Sequence, residues 1–182
     1  MAADIQLWWI GEREASASML EHVRLHLATA FGAEVALYRD ARRAADSYDL
    51  RRRQHSSKKL LAFLLEAGPP PPSRVIGLTD QDLFIPILTF VFGEAQLGGR
   101  AAVVSTARLD DGLPLVNPRV LTERIATECV HEMGHAYGLL HCATPRCAMG
   151  RSPSVRDVDA KKGLLCRDCV TRLGERSRLP GE

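Results

Sequence analysis

The eleven residues from His131 to His141 constrain this chain more than any other stretch. They read His131-Glu132-Met133-Gly134-His135-Ala136-Tyr137-Gly138-Leu139-Leu140-His141. On a helix, residues four apart lie one above the other, so His131 and His135 project from the same face. Their imidazoles suit two corners of a zinc tetrahedron. Glu132 reaches the edge of such a site, where it can take a proton from an attacking water instead of binding the ion. Gly138 can adopt the positive φ that ends a helix and turns the chain sharply. That turn would bring His141 back as a third ligand. Three protein ligands leave one position for water, which marks a catalytic site and not a closed structural one.

H-E-x-x-H alone arises by chance on ordinary amphipathic helices. The added glycine and third histidine argue against chance, and against the thermolysin-type site whose third ligand is a distant Glu. The pattern resembles the extended metzincin signature, which also requires a downstream methionine turn. Met149, eight residues after His141, is the candidate for it, although a lone methionine is usually core filler.

Four of the five cysteines form a second constellation: Cys142 and Cys147, then the C-x-x-C pair Cys166 and Cys169. Two cysteine pairs separated by a loop read as a closed, tetrahedral structural zinc site. The alternative is two disulfides or unrelated thiols, and a reducing compartment favours zinc. Cys129, beside the histidine motif, reads as a small buried apolar residue.

The two constellations interleave as H-E-x-x-H-x-x-G-x-x-H-C-x-x-x-x-C-x-M followed by C-x-x-C. This resembles the archaemetzincin family. Similar segments continue upstream through Phe90 to Ala95, the Ala102 to Ser105 run ending in Arg108-Leu109, and the basic stretch around Arg53-Gln54. Sixteen residues separate Met149 from Cys166, about one fewer than the family's pattern. The resemblance implies a zinc metallopeptidase of the metzincin clan with Glu132 as general base. It implies two zinc ions per chain. His131, His135 and His141 would hold the catalytic one, and Cys142, Cys147, Cys166 and Cys169 the structural one. Met149 and Gly138 would support the site. Aminopeptidase action has been proposed for some members. A different class of reading is a zinc-scaffolded peptide-binding or regulatory module of low activity, but the intact Glu132 argues against a dead enzyme.

A chain of 182 residues, 46% hydrophobic, can bury one substantial core. Net charge is +2, so nothing favours nucleic acid or a membrane surface as partner. No run is long and apolar enough for a transmembrane helix. The start lacks the pattern of a signal peptide, so a cytoplasmic monomer acting on peptide or protein substrates is expected.

The expected fold class is α+β. It is a compact metzincin-like peptidase domain: a mixed twisted sheet on two main helices, with a small zinc-stabilised C-terminal subdomain. Residues 1–138 would carry the active-site helix, and 139–182 the methionine turn and four-cysteine site. Strands are expected at Ile5–Ile10, Val35–Tyr38, Arg74–Leu78, Leu88–Phe92 and Ala101–Thr106. Helices are expected at Ser16–Phe31, Ser56–Ala67, and from Asn117-Pro118 to about Tyr137. Pro69 to Pro72 reads as a stiff loop. Arg51 to Arg53 with Lys58 and Lys59 reads as a solvated face, and the tail from Arg172 as loosely ordered. Asp80, Asp82 and Glu94 are possible anchors for a substrate amine, or ordinary loop carboxylates.

Overall fold

Strands β1 (Ile5–Trp9) and β5 (Arg74–Thr79) are apolar on both faces because the sheet they share is covered on both sides. The computed structural model describes residues 3–38, 46–110 and 117–176. Alternation along the strands divides the side chains between two cores. Ile5, Leu7, Ile76 and Leu78 enter one, while Trp8, Ile10 and Val75 enter the other. Fully burying each such side chain contributes roughly 1.5–3 kcal/mol.

Helix α1 (Ala17–Phe31) starts at Ser16, whose hydroxyl accepts from the Met19 amide, and stops at Gly32 in the left-handed conformation. Its buried stripe of Leu20, Val23 and Leu27 packs in the first core. Strand β2 (Val35–Tyr38) pairs parallel with β1, which pairs parallel with β5. Strand β8 (Ala101–Ser105) continues parallel to β5, and the edge strand β7 (Gly93–Ala95) runs antiparallel to β8. The sheet order is therefore β2-β1-β5-β8-β7, a mixed sheet with β5 at its centre.

Helix α3 (Pro118–Ala136) lies with α1 on one face of this sheet. Helix α2 (Ser57–Ala67) covers the other through Leu60, Leu61 and Leu64. A small second sheet joins β3 (Tyr48–Asp49), β4 (Gln54–Ser56) and β6 (Leu83–Phe84). These short strands carry little alternation and were not expected from sequence. Beyond α3 come a short helix α4 (Val155–Asp159) and helix α5 (Arg167–Arg176). Leu139, Cys147, Met149, Cys169 and Leu173 form a third, smaller core here.

Two expectations are corrected. Leu88–Phe92 is not a strand: only Val91 bridges, to Leu83, and the edge strand begins at Gly93. The run is apolar because it borders a cavity and sets Phe90 edge-to-face against Phe92, not because it alternates between two faces. The tail from Arg172 is not loose as far as Arg176. It continues α5, which Leu173 anchors in the third core. Residues 177–182 of that expectation lie outside the described residues.

Candidate active site

Helix α3 is started by Asn117, whose side-chain oxygen accepts from the Arg119 amide at 2.9 Å, with Pro118 at the first turn. From Ile125 to Gly134 every residue is buried, because α1, the sheet and the C-terminal segment enclose the helix. Cys129 lies in this core with its thiol pushed well up by burial, the inert small apolar residue expected.

His131 Nδ1 lies 2.8 Å from the Ala148 carbonyl and His135 Nδ1 lies 2.7 Å from the Leu139 carbonyl. A carbonyl only accepts, so both Nδ1 atoms carry the proton and both Nε2 atoms are left with lone pairs. Those two Nε2 atoms face each other at 3.1 Å. Neither can donate to the other. Two nitrogens on a zinc tetrahedron with bonds of 2.0–2.1 Å would be about 3.3 Å apart. A cation between the rings resolves what is otherwise lone-pair repulsion. The left-handed turn at Gly138, φ 86°, brings His141 back to the pair. One ligand atom from each of the three histidines falls within 4.8 Å of the others.

Burial, with help from Lys161, pushes the His131 pKa down to about 3. Burial also lowers His135 and His141. All three are thus neutral at pH 7, the state that binds metal.

Glu132 is buried beside the edge strand, so close that a side chain on Gly93 would collide with its Cγ. Burial, reinforced by Glu128 and Glu94 and opposed by Lys161, pushes its carboxyl well above the usual range. Glu128 lies one turn earlier on α3 and is almost wholly buried. Lys161 and Ser152 each donate to it at 3.0 Å, and the Lys161 side chain is only 4% exposed. Lys161 Nζ is also 3.5 Å from His131 Nδ1. This buried ion pair was missed in the sequence. The only signal was two glutamates four apart on the active-site helix, which need a nearby cation.

Met149 is fully buried beneath α3, against Gly134. Its backbone carbonyl accepts from the Cys142 amide at 3.0 Å. Cys142 and Cys166 are 3.8 Å apart at sulfur, as are Cys147 and Cys169, and all four sulfurs lie within 4.8 Å. Sulfurs on a tetrahedral zinc with 2.3 Å bonds would be about 3.8 Å apart. All four are free thiols. Amides of Thr144 and Cys166 donate to the Cys142 and Cys147 sulfurs, respectively. Burial raises the Cys166 thiol, but the Cys169 amide and neighbouring donors outweigh it, leaving its pKa at about 7.

A cavity of about 650 Å³ opens onto the three histidines and Glu132. Residues 88–95 form one wall, and Arg151 to Pro153 another. Of the three possible anchors, only Glu94 lines it, accepting a 2.5 Å hydrogen bond from Ser57. Asp80 accepts from the Glu12 and Arg13 amides, and Asp82 pairs with Arg108 and Gln54. Within the basic cluster, Arg52 is not simply solvated. It lies over the Phe84 ring and donates to the Pro86 and Leu88 carbonyls, holding the loop that leads into the cavity wall.

The sequence model of peptidase family M54 matches residues 71–175, more than half of the chain, and spans both the histidine and the cysteine cluster just described. The chain belongs to peptidase family M54. It is 47% identical over 100 residues to the archaemetzincin of Methanopyrus kandleri, an alignment covering 55% of each protein. It therefore aligns with little more than half the length of that relative by sequence. The crystal structure of that archaemetzincin superposes with a TM-score of 0.85 at 34% identity, covering 96% of this chain and 95% of the other. The Archaeoglobus fulgidus archaemetzincin is 37% identical over 144 residues, 79% of this chain and 83% of that one. Its crystal structure, complexed with malonate, gives a TM-score of 0.77 at 34% identity. A zinc-dependent peptidase from Methanocorpusculum labreanum gives 0.81 at 25% identity, covering 93% and 99%. This M54 chain thus shares the archaemetzincin fold over nearly its whole length. Among its described residues, no helix is long and apolar enough to cross a membrane.

Proposed function

We propose that this M54 chain is a zinc metallopeptidase with His131, His135 and His141 as ligands of a catalytic zinc and Glu132 as general base. A second, structural zinc would be held by Cys142, Cys147, Cys166 and Cys169. The observation that carries the reading is the 3.1 Å approach of two Nε2 lone pairs at the floor of an open cavity. A zinc ion held there would bring the pKa of a water towards neutrality and polarise a scissile carbonyl.

The chain's own residues supply the rest. The Ala148 and Leu139 carbonyls fix the tautomer and orientation of His131 and His135. Glu132 accepts the proton of the attacking water and delivers it to the leaving nitrogen. A divalent cation beside Glu132 opposes the upward pull of burial and favours the carboxylate that this role needs. An extended substrate would lie along the free edge of β7, adding a strand to the sheet with its scissile bond over the histidines. Glu94 is the cavity carboxylate that would meet a substrate amino terminus. The chain would work as a cytoplasmic monomer on peptides, with residues 1–138 and 139–182 as its two parts.

Metal content after exchange into metal-free buffer tests the assignment. Wild type should retain two zinc ions per chain, and His135→Ala and Cys166→Ser one each. Equal zinc in wild type and His135→Ala would contradict the catalytic site. Faster cleavage of free than of amino-blocked peptides would favour aminopeptidase action, and the reverse would exclude it.

A further inference from the structure

His22 and His26 are four apart on α1 and therefore share one face of it. Glu123 reaches the same place from α3. One ring nitrogen of each histidine and one Glu123 oxygen lie within 4.8 Å of one another, the spacing limit that the proposed catalytic histidines also meet. His22 Nε2 is 3.5 Å from Glu123 Oε1, yet it is buried and has no hydrogen-bond partner among the described residues. An orphaned buried nitrogen beside a carboxylate is a costly arrangement unless something else binds there.

His26 Nε2 lies 3.0 Å from the Gly163 carbonyl, which can only accept. His26 therefore keeps its proton on Nε2 and its lone pair on Nδ1, with the ring oriented by a backbone carbonyl as His131 and His135 are. His22 and Glu123 also line an open cleft of about 630 Å³, so the place is reachable from solvent. The Glu123 side chain is 48% exposed and free to adjust.

We infer that His22, His26 and Glu123 form a third metal site, specific for first-row divalent transition ions and separate from the two zinc sites. Two imidazoles and a carboxylate suit zinc, nickel or cobalt, and reject calcium and magnesium, which take oxygen ligands. Glu123 is eight residues before His131 on the same helix. An ion here ties α1 to the active-site helix, which accounts for the pairing of ligands from exactly these two packed elements without a role in turnover.

Calorimetric titration with nickel of protein exchanged into metal-free buffer and carrying two zinc ions per chain tests this. Wild type should bind one further equivalent, and excess nickel should raise its melting temperature. His22→Gln/His26→Gln should bind none while retaining the wild-type zinc content. Glu123→Gln should bind at least tenfold more weakly, and it carries the test if the double variant fails to fold. No further equivalent in wild type, or unchanged affinity in Glu123→Gln, overturns the site. Because zinc content is read separately, neither result bears on the peptidase assignment.

Discussion

The thioether of Met149 fills the space that a side chain on Gly134 would need, in the last turn of helix α3. Met149 is completely buried there, and the Ala148 carbonyl just before it holds His131. The Ala148-Met149 segment thus does two things: the Met149 side chain supports the helix floor, and the Ala148 carbonyl sets the tautomer of His131.

Gly134→Ala should therefore be costly despite alanine's better helix propensity. Overpacking against a buried thioether costs about 1–3 kcal/mol. The variant should show a lower melting temperature and weaker zinc retention. A melting temperature equal to or above wild type would show that Met149 gives way freely.

The Lys161–Glu128 pair makes a second expectation. Lys161→Met leaves Glu128 buried without its cation, and removing one partner of a buried pair costs about 3–5 kcal/mol. For a chain of this size that is a fall in melting temperature of about 10 °C. Lys161→Met/Glu128→Leu should recover most of it, because an apolar pair of similar volume is well tolerated. A double variant no more stable than the single one would mean that Lys161 acts through something other than Glu128.

Acid should weaken the protein in a definite window. Burial lowers the pKa of His131 to about 3 and lowers those of His135 and His141, against about 6.5 in the unfolded chain. As pH falls below about 6.5, the unfolded chain takes up protons that the native site refuses, so stability drops. Above that pH these groups add no slope. In Glu132→Gln, which removes the buried carboxyl whose raised pKa acts in the opposite sense, melting temperatures should decline as pH falls from about 6.5 to 5. A rise on acidification would contradict the neutral, ligand-ready state of these rings.

The convergence of the three histidines was legible because it is written in local spacing. Four residues on a helix align His131 with His135, and one glycine returns His141. The long helices and central strands were legible from periodicity and from end signals such as Ser16, Gly32 and Asn117. What stayed hidden depends on distant partners. Lys161 meets Glu128 only after 33 intervening steps of chain, and Arg52 reaches the Pro86 and Leu88 carbonyls across another loop. Leu88–Phe92 was misread as a strand because an apolar cavity wall and a buried strand look alike in one dimension. Helix α5 was not expected because its buried side chains Cys169 and Leu173 gain meaning only in the third core, beside Cys147 and Met149.

The most direct measurement is cleavage of a mixed peptide library by zinc-loaded wild type and Glu132→Gln, compared at matched zinc content. The wild type should cleave, and Glu132→Gln should retain its zinc while losing at least about a hundredfold in rate, the scale of a missing general base. Equal cleavage by the two proteins would remove Glu132 from the reaction and contradict the account.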